Sequence, residues 1–158
     1  MFRELTRTKT PLTEEECKDL LKTELRGVLS VMGDNDYPYG LPINFLYNEE
    51  TGKIYFHSGR TGYKLEAIQR NSKVSFCVYD KGFRKEGDWA LNIKSVVAFG
   101  KIRIIDSREE NDDIMRKLSY RFTDDSKFIE FLISEHGDEV LCFEMTIEHM
   151  TGKMVYEK

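Results

Sequence analysis

The run Phe56-His57-Ser58-Gly59-Arg60-Thr61-Gly62-Tyr63-Lys64 marks the point where an apolar strand ends and a helix begins. Its two glycines free the backbone, while Arg60 and Lys64 bring positive charge to the helix start. Unpaired amides at a helix N-terminus carry partial positive charge, and Ser58 and Thr61 add hydroxyl donors. The run therefore suits a phosphate group. A plain turn with solvated charges is the alternative interpretation, because most surface lysines and arginines hold no ligand.

Several common catalytic motifs are absent from the sequence. A Walker loop needs four residues between its first glycine and the Gly-Lys pair, and no Gly-x-Ser-x-Gly elbow is present. No two histidines stand at helix-turn spacing, and His136 and His149 have no supporting context. We therefore expect no nucleoside triphosphatase, no serine hydrolase and no metal site. His57, beside the turn, either donates to a phosphate or is a half-buried histidine bonded to the backbone.

Composition limits the class of protein. A chain of 158 residues corresponds to one domain, and its hydrophobic fraction of 40% and charged fraction of 33% are ordinary for a globular protein. No apolar run approaches the roughly 20 residues of a membrane span, and the N-terminus lacks the apolar core of a signal peptide. We therefore expect a cytoplasmic protein without a membrane segment. A net charge of -4 argues against a general nucleic-acid binder.

The three cysteines, Cys17, Cys77 and Cys142, are odd in number and far apart. That spacing matches neither a disulfide framework nor a zinc site. We expect three small buried side chains.

Upstream of the turn, the pattern predicts one helix followed by a meander of antiparallel strands. Thr13 and Glu16 form a capping box, and apolar residues then recur at helical spacing, which predicts a helix over about 13–25. Alternating and β-branched residues, separated by turn clusters, predict strands over 28–32, 37–47 and 53–58.

Downstream, a helix over 62–71 precedes strands over 74–79 and about 91–105, the second with a bend or bulge at Gly100. A helical insertion over about 107–137 precedes a last strand, 140–147, and a short return through 152–155. Strands dominate, so we predict one mainly β (α+β) domain spanning 1–158. Its barrel, closed or partly split, covers about 26–106 and 140–156 and carries peripheral helices.

Three further positions admit alternatives. Pro42 lies inside a predicted strand, which indicates an edge, a bulge or a place where the sheet faces a ligand. Asn44 suits the imide edge of a flavin ring, although a surface asparagine is the commoner explanation. Trp89 is either a core residue or a contact between subunits.

These runs together resemble a known family. Pro42-x-Asn44-Phe45, the segment 54–58, Gly62-Tyr63-Lys64-Leu65 and the segment 71–76 are similar to the pyridoxamine 5′-phosphate oxidase-like FMN-binding split barrels. Within them the chain looks most like the branch related to nitroimidazole-resistance (NimA-type) proteins. The segments 95–101 and 150–153 continue the match, which spans roughly residues 12 to 155.

The resemblance implies a six-stranded antiparallel split barrel that forms a homodimer, with two FMN sites between the subunits. By motif match, the phosphate and ribityl end of FMN would be held by His57, Ser58, Tyr63 and Lys64. The flavin ring would lie along Pro42, Ile43, Asn44 and Phe45. Ser95 and Val96 would reach it from the partner subunit.

The chain departs from pyridoxamine phosphate oxidases at its end. Those enzymes use a C-terminal Arg and His set to grip the substrate phosphate, whereas residues 148–158 hold His149 and no arginine. We therefore do not expect pyridoxamine phosphate oxidation.

Two functions follow from the resemblance. The first is a flavin-dependent oxidoreductase, nitroreductase-like or related, in which FMN carries the redox chemistry and no catalytic side chain is identified. It would act on a small molecule such as a nitroaromatic or a quinone, with a reduced nicotinamide as a candidate donor. The alternative is a non-catalytic flavin- or haem-binding or sensing protein of the same fold, with His57 as a haem ligand.

Overall fold

The computed structural model describes residues 1–6 and 10–156, which form seven β-strands and four α-helices. The strands are β1 (Arg26–Met32), β2 (Pro38–Asn44), β3 (Leu46–Asn48), β4 (Lys53–Gly59), β5 (Lys73–Tyr79), β6 (Asn92–Ile104) and β7 (Val140–Tyr156). The helices are α1 (Glu14–Thr23), α2 (Tyr63–Arg70), α3 (Arg108–Ser119) and α4 (Ser126–His136). Among these helices, none is both long and apolar enough to cross a bilayer.

All seven strands belong to one antiparallel sheet, in the order β2-β1-β5-β6-β7-β4-β3. The two edge strands, β2 and β3, are consecutive in the chain, and only Phe45 separates them. The sheet must therefore curl until its edges meet, which gives a barrel that is split where β2 leaves β4. The predicted mainly β split barrel with peripheral helices is confirmed.

The predicted count of six strands is too low by one, because Phe45 divides the strand expected over 37–47. Its ring is fully buried and lies 4.9 Å, centroid to centroid, from that of Phe76. Its carbonyl accepts a hydrogen bond from Nη1 of Arg121 instead of continuing the sheet ladder. Burial of one aromatic ring thus ends β2 and lets β3 begin on the other edge.

The last strand also differs from the expectation of a strand over 140–147 and a separate return. β7 is continuous for 17 residues and passes the break by a bulge: Phe99 pairs with His149 and Gly100 with Ile147. A Cβ on Gly100 would lie 2.1 Å from the Thr146 carbonyl oxygen, so only glycine fits this approach. The bend or bulge predicted at Gly100 is therefore present.

Helix α1 closes one end of the barrel. Its capping box is formed as predicted, with the Thr13 side chain accepting from the Glu16 amide and the Glu16 carboxylate accepting from the Thr13 amide. Cys17, Leu20 and Leu21 are buried in the main core. The helix ends at Thr23, two residues before the predicted end.

The helical insertion covers the outer face of β4 and β7. Tyr55, Ile105, Ile114 and Cys142 form a second small core there. The buried Asn111 of α3 continues the ladder where β6 ends, since its Oδ1 accepts from the Cys142 amide at 2.7 Å. Burial raises the pKa of the Cys142 thiol to about 12. Cys17 is buried as well, but Cys77 is only half-buried, so the expectation of three buried cysteines holds for two.

Arg121, in the loop between α3 and α4, ties α1 to the closure point of the barrel. Its guanidinium lies 4.9 Å from the Phe45 ring centroid and donates to the Phe45 carbonyl. Nη2 donates to the carbonyls of Lys22 at 2.9 Å and Glu24 at 2.7 Å, at the C-terminal end of α1. These three carbonyls lack backbone hydrogen-bond partners among the described residues, because a helix ends near two of them and a strand is interrupted at the third.

Replacing Arg121 with Met should lower the free energy of unfolding by about 2–3 kcal/mol, because half-buried carbonyls lose a charged donor. Urea denaturation measures the loss. Arg116→Met is the matched control, since Arg116 pairs with Glu130 across an exposed surface at 2.5 Å and such pairs contribute less than about 1 kcal/mol. Equal losses in the two variants would contradict a role for Arg121 in closing the barrel.

Candidate functional site

The turn between β4 and α2 is open to solvent. Gly62 precedes the helix with φ of 130° and supplies no side-chain cap, so the first amides of α2 are not covered by a capping residue. A Cβ placed on either Gly59 or Gly62 would meet nothing within 4 Å. The backbone at this turn thus has free space in front of it where an anion can approach.

His57 and Lys64 flank the turn and are half-buried. The pKa of His57 lies below its ordinary value, first because of burial and then because of the nearby Lys64 charge. Burial also lowers the pKa of Lys64. The Lys64 ammonium lies 6.0 Å from the Phe143 ring centroid, over apolar surface. A cation held this way gains from a bound anion, which restores the electrostatic stabilisation lost with water.

Two neighbouring polar side chains already have local partners. The Ser58 hydroxyl donates to the Gly59 carbonyl at 2.7 Å, and its oxygen can still accept. Arg60 points toward the start of β7, where Nη1 donates to the carbonyls of Val140 at 3.3 Å and Asp138 at 3.4 Å. Arg60 is thus held at the start of β7, whereas the Lys64 ammonium has no hydrogen-bond or ion-pair partner among the described residues.

Tyr63 connects α2 to the turn between β1 and β2. Its hydroxyl oxygen accepts from the Asp34 amide at 2.5 Å, and its ring makes an edge contact with Tyr39, 4.7 Å between centroids. A Cβ on Gly33 would lie 2.5 Å from that hydroxyl, so glycine is needed for this approach. Arg70 strengthens the same junction by pairing with Asp34 at 2.7 Å. The Tyr63 hydroxyl thus faces the β1–β2 turn.

The strand registers place the ring-binding candidates beside this turn. Leu46 of β3 pairs with Tyr55 of β4, and continuing that register puts Asn44 level with His57 and Pro42 level with Gly59. Instead of pairing there, β2 leaves β4 and pairs with β1. The split of the barrel is therefore a cleft, with the anion-suited turn at the end of one wall and the outward side chains of β2 along the other. Pro42 lies on an edge strand, which was one of its three interpretations.

The remaining candidate site residues lie on two different faces of the sheet. The side chains of Ile43, Phe45 and Val96 belong to the main core, so only their backbone is available to a ligand. Asn44 and Ser95 lie on the outer face and are half-exposed. Sequence reasoning missed Arg26, whose Nε donates to Oδ1 of Asn44 at 2.8 Å. In the sequence, Arg26 is marked only by its position at the start of the predicted barrel, and its contact with Asn44 can be recognised only when the register of β1 and β2 is known.

An open sheet face adjoins the cleft. Val28, Cys77 and Val97 stand in one cross-strand row on the outer side of β1, β5 and β6, and each is half-buried. Phe99 stands further along β6, with Phe2 stacked against its ring at 5.7 Å. Trp89, in the loop that precedes β6, is 69% exposed and is not a core residue. The cross-strand row is apolar and lies outside both hydrophobic cores.

The split-barrel fold defines a class of protein, and similarity in sequence and in structure places the chain within that class. The chain belongs to the pyridoxamine 5′-phosphate oxidase family, whose sequence profile matches residues 13–154. No curated protein matches it.

Solved structures show the same fold at low sequence identity. A candidate 5-nitroimidazole antibiotic resistance protein from Bacteroides thetaiotaomicron is 21% identical, with a TM-score of 0.75 over 91% of this chain and 86% of that one. An FAD-binding protein from Mesorhizobium loti is 23% identical, with a TM-score of 0.68 over 92% and 96%. An FAD- and haem-binding protein from Mycobacterium smegmatis is 19% identical, with a TM-score of 0.64 over 92% and 72%.

The lowered pKa of His57 predicts a pH dependence of stability. Its ordinary pKa is 6.5, so below about pH 6.5 the unfolded chain takes up a proton that the folded protein resists. The free energy of unfolding should therefore fall as the pH drops from about 6.5 toward the folded pKa. His57→Gln should flatten that fall in urea titrations, with His136→Gln as a control for loss of an imidazole. An unchanged slope in His57→Gln would contradict the burial of His57.

Proposed function

We propose that this protein is a homodimeric flavoprotein that holds FMN in the cleft between β2 and β4. The observation that carries the proposal is the uncapped, open turn at Gly59 to Gly62, with the half-buried Lys64 beside it. A phosphate monoester would receive backbone amides, a full positive charge and the His57 imidazole at that point. Family membership and the flavin-binding names of two similar structures support the choice of a flavin.

The residues of the cleft fit a flavin at both ends. The turn suits the phosphate, because the space in front of Gly59 and Gly62 is free. Pro42 and Asn44 offer an outward apolar ring and an amide along the wall of β2. Ser95 lies on the outer face of β6, from which it would reach the flavin bound by the partner subunit. When bound, FMN would supply electron transfer, while the chain positions the ring and limits its contact with water.

We further propose that the chain is an oxidoreductase acting on a small molecule, in the cytoplasm. The described cleft offers no nucleophile with an adjacent general base, which agrees with chemistry carried by a cofactor. A nitroaromatic or quinone acceptor and a reduced nicotinamide donor are the first pairs to assay. Yellow purified protein that a reduced nicotinamide bleaches, and an acceptor then recolours, would support this function.

The second candidate is a non-catalytic binding protein for flavin or haem, favoured by the name of the FAD- and haem-binding structure. Stable yellow colour without turnover over a donor and acceptor screen would support the flavin form. A Soret band that His57→Ala removes would support haem, since His57 is the histidine beside the cleft.

Lys64→Glu should weaken FMN binding by about 2 kcal/mol or more, because it removes a charge-assisted contact and adds repulsion to the phosphate. Fluorescence titration of apoprotein with FMN gives the dissociation constant. Lys127→Glu, on the exposed face of α4, makes the same charge change away from the cleft. Unchanged affinity in Lys64→Glu, or equal weakening in both variants, would show that the phosphate is bound elsewhere.

The homodimer is proposed to bury the open face around Val97. Val97→Glu should convert the dimer to a monomer in light scattering, because a charge would be buried against the partner. FMN affinity should fall with it, since the site lies between subunits. Phe131→Glu, at a 56% exposed aromatic on α4, should leave the dimer intact. A wild-type monomer that still binds FMN tightly would contradict the shared site.

A further inference from the structure

Arg26 and Asn44 form a polar pair on the outer face of the sheet. They are directly opposite each other in the antiparallel pairing of β1 and β2. Nε of Arg26 donates to Oδ1 of Asn44 at 2.8 Å. Arg26 is exposed and Asn44 is half-exposed, so the pair faces outward and not into the core.

This contact orients both side chains. Nε can only donate, so the amide of Asn44 must turn its oxygen toward Arg26 and its NH2 group away. Among the described residues, Asn44 is the only acceptor bonded to the Arg26 side chain. The terminal nitrogens of Arg26 and the NH2 of Asn44 thus form a row of donors with a full positive charge behind it.

The pair lies in line with the anion-suited turn. Extending the register of β3 and β4 puts Asn44 level with His57, and Arg26 follows one strand further, about 5 Å away across the sheet. A ligand with its phosphate at the turn and its body across the outer face of β2 therefore extends toward Asn44 and then Arg26. Pro42 lies on the same side of β2 and presents an apolar surface next to this row.

The chemistry of the pair selects one end of a flavin ring. The pyrimidine edge carries two carbonyl oxygens and an unprotonated nitrogen, N1, whereas the dimethylbenzene edge carries no acceptor. A row of donors with a positive charge suits N1 and C2=O of the first edge, next to its one donor at N3–H, and gains nothing from the second. Negative charge that develops on the N1–C2=O group when the ring accepts electrons would be stabilised further by the guanidinium.

We infer that Arg26, oriented by Asn44, binds the pyrimidine edge of the flavin and stabilises negative charge at N1–C2=O. The inference rests on the proposed flavin site and assigns a redox-tuning residue within it. Arg26 would thereby make the bound flavin a better electron acceptor than the same flavin in water.

Sulfite titration of the FMN-loaded protein tests the assignment without turnover. Sulfite donates an electron pair to N5 of the oxidised ring and forms one N–S bond; the π electrons of the N5=C4a and C10a=N1 bonds shift to form a C4a=C10a double bond, negative charge reaches the N1–C2=O edge, and no group leaves. Bleaching of the yellow band gives the sulfite dissociation constant. Arg26→Gln should raise that constant about tenfold or more, because a charged contact to the developing anion is lost. Arg26→Lys, which retains the charge, should raise it less.

The variants are chosen so that folding does not limit the test. Arg26 is exposed and begins its strand, so glutamine there removes no core packing. Asn44→Ala keeps the charge of Arg26 but removes its anchor, and should give an intermediate sulfite constant. Lys127→Gln, which removes a charge from the exposed face of α4, should leave the constant unchanged.

The outcomes separate this inference from the flavin site itself. Wild-type apoprotein that fails to bind FMN would refute the proposed function before Arg26 is tested. If the wild type binds FMN, an unchanged sulfite constant in Arg26→Gln would overturn the role of Arg26. Complete loss of FMN from Arg26→Gln would overturn the redox-tuning role, because Arg26 would then act in holding the oxidised cofactor and not in stabilising the charge that develops on its ring.

Discussion

Burial of the Phe45 ring is the constraint on which the rest of the structure depends. Because that ring enters the core between β2 and β3, the chain passes there from one edge of the sheet to the other. The sheet closes into a barrel, yet β2 is released from β4 and pairs with β1. Arg121 holds this point by binding the Phe45 carbonyl and covering the ring. The closure of the barrel and the opening of the cleft therefore both follow from the burial of Phe45.

The chemical character of the cleft comes from β2 and β4, the two strands that separate there. β4 ends in glycines that keep the backbone accessible, and α2 begins without a side-chain cap. β2 turns Asn44 outward, and β1 adds Arg26 beside it. One end of the cleft is therefore suited to a phosphate and the other to the acceptor edge of a planar ring. The proposed FMN would use both ends, whereas a simple phosphate or an uncharged aromatic would use only one.

Much of the fold could be predicted from the sequence because its signals are local. The capping box at Thr13 and Glu16, the alternation in β5 and the glycine at the Gly100 bulge each indicate their structure within a few residues. The division at Phe45 could not be predicted, since the neighbouring residues continue a strand pattern and the break depends on Arg121, far away in the chain. Arg26 was missed for a similar reason, because its partnership with Asn44 exists only in the paired sheet.

The central claim is that the Gly59–Lys64 turn holds the phosphate of the flavin, and comparing FMN with riboflavin tests it most directly. The two ligands share the ring and the ribityl chain and differ only in the phosphate. Isothermal titration of the apoprotein at low salt should show FMN binding at least about a hundredfold more tightly than riboflavin, as expected for several charge-assisted contacts. Equal affinity for the two ligands would contradict the account.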